Sequence, residues 1–298
     1  MTASIIDGKV ISAKVLESLA EDIAALKAKG IIPGMAALLI GDNPASEVYV
    51  RNKQRAAVQI GVDAQTIHLP ATASEADAIS NVERLNQDPK IHGFIVQLPL
   101  PKHMDENRVS HTMSPNKDID GFHPTNLGHL VLGDAVFQPC TPSGVIQMLV
   151  ASGHNPDGRH VVICGRSNIV GRPLAIMLTQ KRKNANATVT VCHTGTVDMA
   201  RYTRQADILI AAMGSPKAIT VDMVKEGVVV IDVGTTRVAD PTTKSGARFV
   251  GDVDFVSVKE KAAAISPVPG GVGPMTIAML MRNTVRAAKI AAGLPPGD

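Results

Sequence analysis

Apolar residues recur at helical spacing from Lys9 to Lys29, and the pattern stops at Gly30, a residue suited to the left-handed end of a helix. The run MAALLIG, Met35 to Gly41, is continuously apolar and ends on glycine, which predicts a buried strand of a parallel sheet. A second helix is predicted over Ser46 to Gln59, stopping before Gly61. Strands follow at Ala64 to Leu69 and Gly93 to Gln97, with a helix from Ser74 to Asn86 between them. Alternation of this kind predicts βαβ units and a sheet covered on both faces.

Past Gln138 the pattern restarts. The segment PCTPSGV opens a helix that ends at Gly153, with Pro142 in the first turn, where its missing N–H costs nothing. Short, β-branched, wholly apolar strands are predicted at His160 to Cys164, Thr188 to Cys192, Asp207 to Ala212 and Val228 to Val233. They predict a Rossmann-like, doubly wound parallel sheet. A helix from Ile277 to Ala288, N-capped by Thr276, is expected to pack back on the first block. The expected fold is therefore α/β in two domains, residues 1–138 with 276–298 and residues 139–275, with the boundary near Gly133 to Thr141.

Composition narrows the classes. A chain of 298 residues, 45% hydrophobic and 19% charged, suits a soluble globular protein with two cores. No apolar run reaches membrane-spanning length, since Arg282 and Arg286 interrupt the C-terminal stretch. The N-terminus lacks a basic segment followed by a long apolar one, so a cytoplasmic location is expected. A net charge of +3 and 2% aromatic residues argue against a nucleic-acid partner. Cys140, Cys164 and Cys192 share no CxxC spacing, and the nine histidines form no HExxH or Cys/His cluster, so no metal is expected.

Four segments carry candidate chemistry. The run SPVPGGVGPMT, Ser266 to Thr276, is nearly bare backbone before a helix, suited to close approach by a flat ligand; its ordinary reading is a strand-to-helix connection. Tyr49 and Lys53 stand four apart on one helix face, although most helical lysines are simply solvated. In VQLPLP, Val96 to Pro101, Gln97 ends a strand at the edge where open α/β sheets bind ligands, or else caps a turn. KDIDGF, Lys117 to Phe122, reads in isolation as an Asp-Gly turn.

The nucleotide end is GRSNIVGRP, Gly165 to Pro173, between a strand and a helix. Its Gly-x5-Gly spacing is weaker than GxGxxG, and non-binding folds use such turns too. The second strand ends in His193-Thr194 without the carboxylate that bonds a ribose 2′-hydroxyl in NAD sites. Arg166 can instead pair with a 2′-phosphate, which favours NADP unless Asp198 reaches the strand end.

Taken together, YVxxK, VQLPLP, KDxDGF, PCTPxG, GRSxIVGxP, GDV (Gly251 to Val253) and PGGVGPMT cover the chain in one order. In that order they closely resemble the bifunctional methylenetetrahydrofolate dehydrogenase/methenyltetrahydrofolate cyclohydrolase family. The resemblance implies a two-domain homodimer with the folate in the interdomain cleft. It implies NADP-dependent oxidation of 5,10-methylene- to 5,10-methenyl-tetrahydrofolate, then hydrolysis to 10-formyl-tetrahydrofolate, a step of one-carbon metabolism. Carried over by position, Tyr49 stacks on the p-aminobenzoyl ring, Lys53 is the catalytic amine oriented by Gln97, and Asp120 holds the pterin. Val96, Leu98 and the backbone of Pro269, Gly270, Gly271, Val272 and Gly273 border the folate. Gly165, Arg166, Ser167 and Thr194 take the nucleotide, with Thr235 near the nicotinamide.

The chain departs from the family pattern at three points. Arg55 replaces a common lysine, Thr194 a common serine, and Thr235-Thr236 stand where Ile-Asn is frequent. A dehydrogenase without effective hydrolysis, or a non-catalytic binding module on the same fold, are the competing readings; intact Lys53, Gln97 and Asp120 count against both.

Overall fold

The computed structural model describes residues 3–243 and 246–296. The chain divides into two compact units, Met1–Ser12 with Thr141–Thr276, and Ala13–Cys140 with Ile277–Asp298. It opens with a short strand, β1 (Ser4–Ile5), and then α1 (Gly8–Ser18), which carries the chain into the second unit. There α2 (Ala20–Ala28), β2 (Gly34–Ile40), α3 (Pro44–Gln59), β3 (Asp63–Leu69), α4 (Glu75–Gln87) and β4 (Gly93–Val96) alternate as the apolar pattern predicts. The helices α5 (Glu106–His111) and α6 (Pro124–Leu132) complete that stretch, and α7 (Cys140–Ala151) leads back.

The three strands of this unit run parallel in the order β3-β2-β4. All seven residues of β2 are buried, as expected for a central strand covered on both faces. Ala36, Leu38, Val82, Leu85 and Phe94 are buried in one cluster beneath α4. The helix α4 starts at a capping box in which Ser74 and Asp77 bond each other's backbone N–H groups.

The other unit continues with β5 (His160–Cys164), α8 (Gly171–Thr179), β6 (Thr188–Cys192), α9 (Met199–Thr203), β7 (Ile208–Ala211) and β8 (Val229–Asp232). A hairpin of β9 (Thr236–Ala239) and β10 (Ala247–Val250) follows, then α10 (Phe255–Lys259), β11 (Ala264–Ile265) and the long α11 (Val272–Ala291). Six parallel strands form one sheet in the order β1-β11-β8-β7-β5-β6. The order reverses between β5 and β7, the position at which open α/β sheets form a crevice beyond the carboxyl ends of their strands.

The structure departs from the sequence reading at three places. Residues 1–12, grouped with the first block on sequence, supply β1 to the six-stranded sheet, where Ser4 pairs with Ala264. The helical stretch from Lys9 to Lys29 is two helices, because the Leu19 N–H turns back to Leu16, a tighter i−3 bond. Thr276 is not an N-cap. The last helix begins at Val272, with Pro274 tolerated in its first turn, and the Thr276 hydroxyl bonds back to the Val272 carbonyl at 3.3 Å. From Ile277 onward α11 belongs to the unit of the three-stranded sheet, where Asn283 Nδ2 donates to the carbonyls of Ile119 (2.8 Å) and Gln138 (3.0 Å).

Candidate active site

In the three-stranded unit, α3 and the end of β4 bring two predicted residues together. Asn43 caps α3 by accepting the N–H groups of Ala45 and Ser46, and Pro44 fills the first turn. Tyr49 and Lys53 follow one turn apart on that helix. Lys53 Nζ donates to Gln97 Oε1 at 3.2 Å. Gln97 leaves β4 with its backbone N–H on the Leu38 carbonyl of the neighbouring strand. Its Nε2 donates to the Leu98 carbonyl at 2.8 Å, so the amide oxygen is the end left to face the lysine. Val96 is buried at the end of β4, while Leu98 and Tyr49 are each more than a third exposed.

Asp120 stands in a turn built by its neighbours. Asp118, 4% exposed, accepts the N–H of Gly121 (3.0 Å), the N–H of His123 (2.7 Å) and Asn126 Nδ2 (2.8 Å). Burial pushes its carboxyl above the ordinary range, and the Asp120 charge adds to that, against the lowering effect of its hydrogen bonds. Lys117 reaches back to the carbonyls of Leu85 and Asp88 at the end of α4, at 2.9 and 2.7 Å. Burial lowers its pKa. Gly121 has φ +77°, and a Cβ there would lie 2.7 Å from the Gln138 carbonyl carbon, so only glycine fits. The outcome is an Asp120 carboxylate with no hydrogen-bond or ion-pair partner among the described residues.

Cys140 ties these groups to one neighbourhood. Its Sγ donates to the Ile119 carbonyl at 3.3 Å, and its backbone N–H bonds the Asp120 carbonyl at 3.3 Å. Burial pushes the thiol well up, the charge of Asp120 pushes it further, and Lys53 opposes. Lys53, Gln97 and Asp120 all lie in this one unit, and the charges of Lys53 and Asp120 both act on the Cys140 thiol.

The other unit gathers the remaining predicted residues. Gly165 follows β5 with φ +135°, and a Cβ there would sit 2.1 Å from the Ala212 carbonyl oxygen at the end of β7. A Cβ on Gly171 would meet the Gly165 carbonyl at 2.1 Å. Both glycines are fixed by close backbone approach where strand becomes helix. Ser167 is occupied as a cap: its Oγ accepts the N–H of Val170 at 3.1 Å and of Gly171 at 3.4 Å. The backbone N–H groups of Arg166, Ser167, Asn168 and Ile169, and the Arg166 guanidinium, have no acceptor among the described residues. That set of open donors on bare backbone fits a phosphate-bearing ligand.

Thr194 is exposed two residues beyond β6, with no carboxylate between. Asp198 is spent elsewhere, as the left-handed N-cap of α9 bonded to the Arg201 N–H. Thr235 is exposed and donates to the Val233 carbonyl at 3.2 Å. Pro269 to Gly271 precede α11, and Val272 and Gly273 lie in its first turn. Gly271 packs on Gly8, where a Cβ would be 1.8 Å from the Gly271 carbonyl oxygen.

Sequence reasoning missed Lys117, Asp118, Asp232 and Gly8 as builders of these loops. Lys117 and Asp118 lie inside KDIDGF, and Asp232 stands two residues before Gly234 at the end of an apolar run; these were the available signals. Among the described residues no group of His, Cys, Asp or Glu could hold a metal ion, and no helix is long and apolar enough to cross a membrane.

Comparison with known proteins covers the whole chain. The catalytic domain of tetrahydrofolate dehydrogenase/cyclohydrolase matches residues 6–120, and the NAD(P)-binding domain of the same family matches residues 139–292. The bifunctional protein FolD of Syntrophus aciditrophicus is 55% identical over 294 residues, 99% of this chain and all of that protein. The crystal structure of the bifunctional enzyme FolD from Campylobacter jejuni superposes with TM-score 0.90 at 47% identity, covering 97% of this chain and 99% of that one. The Trypanosoma brucei dehydrogenase-cyclohydrolase, complexed with NADP cofactor and inhibitor, superposes with TM-score 0.93 at 39% identity, covering 98% and 99%. The chain belongs to the tetrahydrofolate dehydrogenase/cyclohydrolase family.

Proposed function

We propose that this protein oxidises 5,10-methylenetetrahydrofolate to 5,10-methenyltetrahydrofolate with NADP, and then hydrolyses that product to 10-formyltetrahydrofolate. The single observation that carries the reading is the amine of Lys53 held by Gln97, in the same unit as the open carboxylate of Asp120. Full-length similarity to bifunctional relatives supports it.

Bound NADP supplies the hydride acceptor. Arg166, Ser167 and Thr194 hold its phosphate-bearing half, with Gly165 admitting the backbone's close approach and Thr235 toward the nicotinamide. The exposed Arg166 and the absence of an acid at the end of β6 favour the 2′-phosphorylated dinucleotide. In the folate half, Asp120 accepts from the two adjacent donors of the aminopyrimidine edge, a geometry a free carboxylate matches. Tyr49 stacks on the p-aminobenzoyl ring. Val96, Leu98 and the segment Pro269 to Gly273 border the substrate.

Oxidation breaks a C–H bond of the methylene carbon, whose electron pair leaves with the hydride. The cation left behind is shared by the two folate nitrogens, so the protein need only align the carbon. Hydrolysis differs. Water attacks the methenyl carbon and loses a proton to the Lys53 amine. Lys53 then returns a proton to the ring nitrogen as its bond to carbon breaks. One further proton is released to solvent, which balances the step. Gln97 keeps the amine aimed while its charge changes, because its oxygen can only accept.

The reading includes a homodimer and a cytoplasmic location. Neither nucleic acid nor membrane is a partner. The test is absorbance after mixing with methylenetetrahydrofolate and NADP. The methenyl and NADPH bands should rise together, after which the methenyl band should decay; a chain that produces neither band is not this enzyme.

A further inference from the structure

The carboxyl edge of the six-stranded sheet is organised by two buried carboxylates that the chemistry above does not use. Asp252 is 0% exposed. Its Oδ2 accepts the N–H groups of Met213 at 2.5 Å and Gly214 at 2.9 Å, and its Oδ1 that of Ser215 at 2.7 Å. Asp232, the last residue of β8, is 3% exposed. Its Oδ1 accepts the N–H groups of Gly234 and Asp252, and its Oδ2 that of Val253, each at 2.9 Å. Two side chains thus take six backbone donors.

Neither carboxylate has a cationic partner among the described residues. Two like charges buried together cost stability, and burial pushes Asp232 up to about 6, with Asp252 adding to the rise. The six backbone hydrogen bonds offset part of that cost and hold the loops around them in one geometry. The surrounding glycines obey it too. A Cβ on Gly251 would lie 1.9 Å from Asp232 Oδ2, and one on Gly234 would lie 2.4 Å from Asp252 Oδ1.

That geometry is at the functional edge of the sheet. The loop after β7, which Asp252 holds, faces the loop after β5 across the point where strand order reverses. Ala212, at its head, touches Gly165. The loop after β8, which Asp232 holds through Gly234, presents Thr235. We propose that Asp252 and Asp232 are positioning residues for the cofactor, fixing loops 213–215 and 234–235 in the shape that receives the nicotinamide half of the dinucleotide. The proposal rests on the dehydrogenase reading above.

The test compares two readouts in D252N. The amide keeps the carboxylate's size, but can leave only one oxygen as acceptor, so its NH2 opposes one of the three loop N–H groups. NADP affinity by calorimetry should fall by about tenfold or more, as expected for losing a hydrogen bond to a charged group. Hydrolysis of methenyltetrahydrofolate, assayed without dinucleotide, should stay at the wild-type rate. If D252N does not fold, G234A decides, since its methyl would press on the Asp252 carboxylate and displace the loop after β8, with both carboxyl groups chemically intact. Wild-type NADP affinity in the folded variant overturns the proposal, and so does an equal fall of both activities with the melting temperature, the mark of a merely structural role. A wild-type protein that neither binds NADP nor forms methenyltetrahydrofolate would instead sink the dehydrogenase reading itself.

Discussion

Lys53 and Gln97 meet at 3.2 Å across two elements, a helix and the end of a central-sheet neighbour strand, although 44 residues separate them in sequence. The bond is asymmetric. Gln97 is anchored by its own Nε2 on the Leu98 carbonyl, so the glutamine is the fixed partner and the lysine the one that answers to it. A flexible amine gains direction from a rigid amide. This is the arrangement a group must have if it is to accept a proton from one atom and return it to another.

The cofactor preference rests on Arg166. It is exposed and has no acceptor among the described residues, while Asp198, the acid that could have spoken for NAD, caps α9. R166A should weaken NADP by a few kcal/mol at most, about the worth of a charge-assisted pair, and leave NAD nearly unchanged. Steady-state kinetics with both dinucleotides measures this; an unaltered NADP/NAD ratio removes Arg166 from that role.

Asp120 makes a different prediction, because both reactions need the same bound pterin. D120A should impair oxidation and hydrolysis together and leave NADP binding intact. Calorimetry with a folate ligand and with NADP separates the two. Normal folate affinity in the variant would mean that the carboxylate serves another purpose.

Much of this was legible in the sequence, and the failures share a cause. The β-branched runs His160–Cys164 and Thr188–Cys192 announced β5 and β6 because burial on both faces leaves no room for polar residues. Lys53, Gln97 and Asp120 were singled out by motif, and the structure shows how Lys53 and Gln97 are held. β1 was not legible: two residues pairing with Ala264 and Ile265 leave no periodic trace. The start of α11 was misread because glycine and proline suggest a loop, whereas Pro274 sits where a helix accepts it. Asp118 and Asp252 resemble solvated turn acids on paper. Only the folded chain aims backbone N–H groups at them, and burial of that kind has no local signature.

Asp232 predicts a pH dependence of stability. Burial raises its folded pKa to about 6 from 3.8, so the folded state holds a proton between those values that the unfolded state has released. Its contribution therefore favours folding as pH falls from above 6 toward 4, and turns against folding as pH rises through 6. The full span is about 3 kcal/mol at 1.36 kcal/mol per pH unit. D232N should be less sensitive to pH in that window than the wild type. Urea unfolding at pH 5 and pH 7.5 measures the difference; parallel shifts in the two proteins would show that Asp232 does not titrate there.

In the proposed mechanism one lysine serves hydrolysis by moving protons, while hydride transfer asks only for position. K53Q tests it, since glutamine keeps length and some hydrogen bonding and cannot cycle a proton. Stopped-flow absorbance on the variant, mixed with methylenetetrahydrofolate and NADP, follows NADPH and the methenyl product separately. Hydrolysis should be slower by ~10²–10⁴, the usual worth of an acid/base group, with oxidation less affected and the methenyl band accumulating. Hydrolysis at the wild-type rate would contradict it, and Lys53 would then be no more than a lysine on a helix surface.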